Sequence, residues 1–504
     1  MKSKAVQTRI NFYTNIVALG INAVIALIYT PYLVNRLGVA AYGILPLALI
    51  VNQYIDVAAG ALTSAYTRFY SVAIQKSDYT QASKVVSTSI LAIGAIVLCS
   101  LPIFIGITIN VDTIFQIPDG LTASAQILFV YTALSFILSL ITSTLNVTLY
   151  AQNRLDLMNF LKIIRSIMKF VIVWLLFEFA SVNVAFVGLS GFITEIIVLI
   201  FSLLIFYKTR PYGIRISIKV FDKAILFAII AMSVWVLIQQ LGDTLLYRTD
   251  NLLFNVYLGA EASGRLGAIS SFGGYVMQIT SVLGALFGPL ILMAYSSENH
   301  EEVKHLAMSQ SKIVGSISAI LCGVIAGVGA PLLSIWLDHS FVDYDNWLLI
   351  KLLPMPFYAA GGILAYVYRA WNRVKLPAII TIVLGVIDIV VIVLLCNIFQ
   401  VQHANIILFT SALFSIVQCY IMNVYCVDRI YHGLWKKGMH TFFIILVVAF
   451  ISYMLSKMVG YFWKADNLLI LLTQLLLDAL IALGILVYVF FNKQERSLLL
   501  SLIK

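Results

Sequence analysis

The sequence predicts an all-α polytopic membrane protein with about fourteen transmembrane helices, arranged as two parallel-repeat six-helix bundles followed by two further helices. Three observations lead there. The 504 residues are 62% hydrophobic and 11% charged, with a mean hydropathy of +1.00, whereas soluble domains average roughly 45–50% apolar and about 25% charged. The apolar residues fall into segments of membrane-spanning length separated by short polar breaks. Two short motifs also recur at nearly one offset along the chain.

The segments are placed at 12–34, 40–66, 85–108, 124–150, 159–179, 184–207, 224–256, 263–294, 311–336, 347–370, 376–398, 404–427, 440–463 and 467–491. The 224–256 segment is the least apolar and unusually long, so a tilted or broken helix is expected there. With the N-terminus inside, 25 of the 32 Lys and Arg residues fall on inner segments and three (Arg36, Lys351 and Lys464) on outer loops. The remaining four, Lys169, Arg248, Arg265 and Lys457, lie within spans. This asymmetry alternates along the whole chain and predicts that both termini are cytoplasmic.

The composition excludes several classes. The formal charge of +10 suits basic cytoplasmic loops better than nucleic-acid binding. Cys99, Cys322, Cys396, Cys419 and Cys426 lie inside apolar stretches without metal-ligand or CxxC spacing, and read as small core residues. His300, His305, His339, His403, His432 and His440 fall in loops or at span edges, which argues against a histidine relay or an intramembrane metal. No G-x-x-x-x-G-K-[ST] loop is present. No cofactor is expected, and no loop is long enough to house a soluble domain.

The repeat rests on two pairs of motifs. Leu37-Gly38-Val39-Ala40-Ala41-Tyr42-Gly43 and Leu258-Gly259-Ala260-Glu261-Ala262-Ser263-Gly264 both read L-G-x-x-A-x-G, 221 residues apart. Ala151-Gln152-Asn153-Arg154 with Leu157 matches Ala370-Trp371-Asn372-Arg373 with Leu376, 219 residues apart. Each pair falls in topologically equivalent loops. An even number of spans per repeat makes the halves parallel, with a cavity expected between two bundles. The expected domains are 1–210 and 220–430, with 438–504 as an added helix pair.

Eight ionisable residues lie near span centres: Asp56, Lys169, Glu195, Asp243, Arg248, Asp250, Asp388 and Asp478. Facing lipid, they would cost about 20–28 kcal/mol together on insertion scales. They are therefore expected to pair or to line a wet path. The seventh span is the densest. Asp243, Tyr247, Asp250 and Asn251 share one helical face, with Arg248 beside it. Its repeat mate, the first span, carries Asn11, Asn15 and Asn22 at matching spacing, and Asn22 corresponds to Asp243. Lys169 and Asp388 correspond at an offset of 219 and are expected to pair across the cavity. Gly323-x-x-x-Gly327 permits close helix approach.

The run Pro31-Tyr32-Leu33-Val34-Asn35-Arg36-Leu37-Gly38, then Ala41-Tyr42-Gly43, Arg68 after the second span and the polar seventh span ahead of Leu258-Gly259 together resemble the bacterial Wzx-type polysaccharide exporters. These belong to the superfamily that includes multidrug and toxic-compound extruders and the lipid II flippase. The resemblance covers essentially the whole chain. It implies two six-helix bundles that rock between inward-open and outward-open states in a bacterial inner membrane. It also implies a monomer that flips an undecaprenyl-pyrophosphate-linked oligosaccharide, an O-antigen, capsule or exopolysaccharide repeat unit, with or without ion coupling. Membrane lipids, a polysaccharide polymerase and chain-length proteins are the further partners it implies.

Under that resemblance Arg248 and Lys169 are candidates to meet the pyrophosphate, and Tyr247, Tyr66, Asn15, Asn22 and Asn251 to contact sugars. The carboxylates Asp56, Glu195, Asp243, Asp250 and Asp388 are candidates for ion coupling or for lining the cavity. Acidic groups outnumber basic ones at span centres, which keeps a proton- or sodium-coupled drug or cation antiporter open. A membrane glycosyltransferase or polymerase is the remaining rival, with Asp343-Tyr344-Asp345 as a short D-x-D match. No enzymatic activity is expected.

Overall fold

The computed structural model describes residues 4–76, 78–209, 214, 217, 220–399, 403–463, 465–493 and 495–496. The inner loop predicted at 208–223 thus falls partly outside the described residues, as do Lys2, Lys464 and Lys504 of the charge pattern.

The protein is an all-α polytopic membrane protein, with no strand among the described residues. Its helices are α1 (Lys4–Leu37), α2 (Val39–Tyr42), α3 (Ile44–Gln75), α4 (Tyr79–Ile109), α5 (Val111–Ile114), α6 (Thr122–Ala151), α7 (Leu155–Phe179), α8 (Val184–Thr209) and α9 (Lys223–Arg248). They continue as α10 (Asp250–Ser296), α11 (His300–Gly327), α12 (Gly329–Trp336), α13 (Asp345–Leu352), α14 (Met355–Ala370), α15 (Lys375–Ile398), α16 (His403–Ile416), α17 (Met422–Tyr431), α18 (Trp435–Phe462) and α19 (Leu468–Ile485). Each of the fourteen expected segments coincides with a helix or a run of helices. Among the described residues, 11 helical stretches are long and apolar enough to cross a membrane.

The outward chemistry of these helices is that of a membrane protein. On α19, Leu469, Leu472, Leu476 and Leu480 are exposed, while Leu471, Gln474, Asp478 and Ala482 are buried. A helix that hides its Asp and Gln and displays leucines belongs in hydrocarbon, not water. Many hydroxyls of α6 are satisfied locally, Thr142 excepted. Along α6, Thr132, Ser135, Ser139, Ser143, Thr144 and Thr148 each donate to a carbonyl three or four residues back in the same helix.

The chain divides into two compact units, one of residues 1–244 with 251–264, the other of 245–250 with 265–504. The first packs α3, α4, α6 and the start of α9 around Tyr66 and Tyr70, packs α3, α4 and α6 around Phe136, and joins α6, α7 and α8 at Leu149, Leu161 and Val198. The second is organised on α11, whose buried face carries Ser316, Ile320, Gly323 and Gly327 or lies beside them. A Cβ on Gly323 would sit 2.8 Å from Ser452 Cβ, and one on Gly327 2.7 Å from Ser456 Cβ. The small-residue pair therefore lets α18 lie directly on α11, which docks the C-terminal helices onto the second unit.

The repeated motifs have backbone reasons. Gly38 and Gly259 have φ of +79° and +88°, with ψ of 157° and 177°, a region that only glycine occupies readily. At Gly259 this ends one helix and starts the next within α10, and Ser263 Oγ donates back to Asn251 O, twelve residues earlier, at 3.1 Å, so the chain turns back here in the hairpin expected between the seventh and eighth spans. The last glycines of the two motifs meet inside the first unit. A Cβ on Gly264 would collide with the Val39 carbonyl and lie 3.0 Å from Gly43 Cα, and one on Gly43 would collide with the Ala260 carbonyl. The second motif pair is a helix stop. Asn153 and Asn372 have φ of +57° and +53°. The following amides of Arg154 and Arg373 donate to Leu149 O and Tyr368 O, each at 2.8 Å. A third correspondence was not evident in the sequence. Asp78 caps α4 by accepting from Gln81 N, and Asn299 caps α11 by accepting from Glu302 N, again 221 residues apart.

Candidate functional site

The polar centre of the second unit forms where α10 begins. α9 ends at Arg248 and α10 starts at Asp250, with Thr249 between them still at helical angles, φ −70° and ψ −19°. Asp250, 3% exposed, meets α13, where Lys351 Nζ lies 2.5 Å from its Oδ2. Asp388 of α15 is 1% exposed, its Oδ1 has no hydrogen-bond partner, and Asp250 and Lys351 are the charges that act on it. Two carboxyls and one ammonium leave this buried cluster one negative charge in excess. In a low-dielectric interior such an excess is relieved by taking up a proton or a cation.

A hydrogen-bonded chain flanks the cluster. Tyr247 Oη donates to Gln418 Oε1 at 3.0 Å, and Gln418 Nε2 donates to Thr381 Oγ1 at 3.0 Å. Thr381 and Asp388 are seven residues apart on α15 and share its face. Gln418 lies in the π-helical turn Val417–Ile421, an insertion often found at functional sites. Ser411 Oγ donates to Leu246 O at 3.2 Å, so α16 also holds the 245–250 segment. The Tyr247 ring stands edge-on to Tyr358, with centroids 5.3 Å apart.

The first unit arranges its polar residues differently. Asn11 is buried. Its Nδ2 donates to Asn153 O at 2.9 Å, and its Oδ1 accepts from Asp156 N at 3.1 Å. Asn22 Oδ1 accepts from Ser166 Oγ at 2.5 Å, and Lys169 Nζ stands 5.5 Å from the Tyr29 ring centroid. Asn11, Asn22 and Tyr29 thus lie along the seam between α1 and α7, whereas Asn15 at its edge is exposed. The polar face of the first span is therefore largely a helix–helix contact. Glu195 is held by Arg165, with Nε–Oε1 2.7 Å and Nη2–Oε2 3.0 Å.

The other expected residues are dispersed. Tyr66 is 1% exposed in the core of the first unit, 5.8 Å from Tyr70 by ring centroids, and its hydroxyl has no partner. Asp56 and Arg248 are exposed, and Asp243 and Asn251 are half-buried. Asn251 O accepts from Ser263 Oγ at 3.1 Å. Of the shared face on the seventh segment, Asp243 and Asn251 belong to the first unit and Tyr247 and Asp250 to the second. Lys169 and Asp388, expected to pair, each meet charges within their own unit: Glu195 and Arg165 for Lys169, Asp250 and Lys351 for Asp388. Among the described residues no group of three or more His, Cys, Asp or Glu is placed to hold a metal ion. Asp343-Tyr344-Asp345 runs from a 3₁₀ turn into α13, and the Arg265 guanidinium lies 4.7 Å from the Tyr344 ring.

Sequence reasoning missed Lys351, Gln418 and Thr381. By sequence Lys351 reads as an outer-loop charge, and its signal is its rarity, since a lysine on the outer side of an inside-positive protein calls for a partner.

No family model matches the chain. A curated relative named "Uncharacterized membrane protein EpsK", from Bacillus subtilis (strain 168), is 26% identical over 395 residues, which covers 77% of this chain and 76% of the relative. Among solved structures, lipid II flippase MurJ in an inward closed conformation superposes with a TM-score of 0.63 at 15% identity, covering 96% of this chain and 99% of that one. The eukaryotic MATE transporter AtDTX14 gives 0.64 at 14% identity over 88% of this chain and 99% of that one. An inward-facing multidrug resistance MATE family transporter of the MOP superfamily gives 0.62 at 15% identity over 84% and 99%. At these identities the likeness is one of fold.

Proposed function

Starting from that shared fold, we propose that this protein is a transporter that flips an undecaprenyl-pyrophosphate-linked oligosaccharide across a bacterial inner membrane by alternating access. The observation that carries the reading is the extent of the likeness to the flippase. It covers 96% of the chain, against 84–88% for the two MATE transporters above. The difference is comparable in size with the C-terminal pair α18 and α19, of 28 and 18 residues. The resemblance of the first two spans to polysaccharide exporters points the same way. In this reading the sugar and pyrophosphate cross in a polar cavity while the lipid tail stays in hydrocarbon. Lys169 and the exposed Arg248 are the cations offered to the pyrophosphate, and the Asp250–Lys351–Asp388 cluster takes up the coupling ion or proton. Both termini are cytoplasmic.

A second reading is a proton- or sodium-coupled multidrug antiporter. The negative excess of the Asp250–Lys351–Asp388 cluster favours it, because such a site suits a cation.

Deletion of the gene separates the two. The flippase reading expects lipid-linked oligosaccharide to accumulate on the cytoplasmic leaflet and surface glycan to disappear. Wild-type protein restores export, while Arg248→Ala and Asp388→Asn, expressed at wild-type levels, do not. Normal surface glycan together with increased sensitivity to cationic drugs would overturn the flippase in favour of the antiporter.

A further inference from the structure

The basic end of the second unit holds a small pocket that the transport reading does not use. It encloses about 150 Å³ and is lined by Arg373, Leu376, Pro377, Cys426, Arg429 and Ile430. Its two cations come from fixed positions. Arg373 follows the left-handed Asn372, and its amide is tied to Tyr368 O at 2.8 Å. Arg429 is in the last turn of α17.

Neither guanidinium pairs with a carboxylate among the described residues. Each instead lies over an aromatic ring, Arg373 at 5.7 Å from the Trp371 centroid and Arg429 at 6.0 Å from that of Tyr425. The rings orient the cations without neutralising them. The nearest acid in sequence, Asp428, is already engaged, since its Oδ1 accepts from Leu434 N and Trp435 N at 2.7 and 2.9 Å.

The repeat supplies an internal control. Arg154, which matches Arg373, donates from Nε and Nη2 to the two carboxylate oxygens of Asp156, each bond 3.0 Å long. The residue that matches Asp156 at the same 219-residue offset is Lys375. The second copy of the turn thus lacks the first copy's anion and carries a cation in its place. Two arginines over a floor of Leu376, Pro377 and Ile430 suit an anion joined to an apolar tail, and basic pockets between transmembrane helices on the cytoplasmic side suit lipid phosphates. Tyr425 and Trp435, each 39% exposed, mark this end as the membrane interface.

We infer that the Arg373–Arg429 pocket binds the phosphate of an anionic lipid headgroup from the leaflet that the basic loops face. The test is native mass spectrometry of the full-length protein with phosphatidylglycerol or phosphatidylcholine. Phosphatidylglycerol affinity should fall about tenfold in the Arg373→Gln/Arg429→Gln variant, with phosphatidylcholine adducts unchanged. Lys375→Asp, an exposed change that gives Arg373 the counter-ion Arg154 already has, should lower it several-fold. Wild-type phosphatidylglycerol affinity in both variants would overturn the site. Displacement of phosphatidylglycerol by excess inorganic phosphate would overturn the lipid assignment in favour of a free-anion site, whereas retention supports it.

Discussion

The two units share punctuation and differ in how the charges beside it are balanced. Left-handed asparagines and capped helix starts recur from one to the other at offsets of 219 and 221, yet the side chains around them differ. In the first unit the buried Glu195 has Arg165, and Arg154 has Asp156. In the second, Asp388 shares a single lysine with Asp250, while Arg373 and Arg429 have no carboxylate partner among the described residues. The repeated backbone is a scaffold, and in the transport reading proposed above the charges that do not cancel are the ones offered to ions and headgroups.

The largest effect should come from breaking the one pair inside the surplus cluster. Lys351→Met leaves Asp250 buried without its ammonium, and removing one partner of a buried pair costs about 3–5 kcal/mol. Arg165→Met should cost less, because the Arg165 side chain is 37% exposed against 16% for Lys351 and Lys169 remains as a second cation near Glu195. Thermal unfolding in one detergent ranks the two. Adding Asp250→Asn to Lys351→Met should recover part of the loss; a double variant as unstable as the single one would mean that packing, and not charge, is what Lys351 supplies.

Much of this contrast could be read before any coordinates. Charge alternation and apolar length give the helices, because a bilayer punishes unsatisfied backbone and buried charge alike. The motif pairs at 38–43 and 259–264 mark the repeat because glycine is needed there for backbone geometry. What sequence could not show was which polar residues are already engaged. Asn11 and Asn22 have the spacing of a cavity face, but that spacing is also the one that packs α1 on α7. Tyr66 looks like a sugar platform, and its ring lies in the core beside Tyr70. Lys351 comes to Asp250 through a contact across 101 residues, which periodicity cannot reveal.

The glycine contact tests whether the shared backbone is as constrained as it looks. Gly264→Val would drive two methyl groups toward Val39 O and Gly43, which are backbone atoms with no rotamer to yield. Overpacking of this kind costs about 1–3 kcal/mol, and the upper end is expected here. Gly274, on the same helix with nothing within 4 Å of a built Cβ, is the control, and Gly274→Ala should leave the melting temperature unchanged or slightly raised. A Gly264→Val loss no larger than that of Gly274→Ala would show that the meeting of the two motifs does not set the cost.

The smallest and most direct change converts the first unit's turn into the second's. Burial pushes the Asp156 carboxyl up, but hydrogen bonds and charge from Arg154, with help from Leu157 N and Gln7, outweigh it and hold the group below the ordinary carboxylate range. Asp156→Lys removes that anion and the Gln7 bond of 2.9 Å, while the amide of residue 156 still donates to Asn11. The expected loss at neutral pH is about 1 kcal/mol, since the pair is partly exposed. A carboxyl with a lowered folded pKa contributes stability that is present above its unfolded value of about 3.9 and lost as pH falls below it. The gap between wild type and Asp156→Lys should therefore be widest at neutral pH and close on acidification below about pH 4. A gap of constant size across that range would show that the ionised carboxylate, and with it the Arg154 pair, carries no energetic weight.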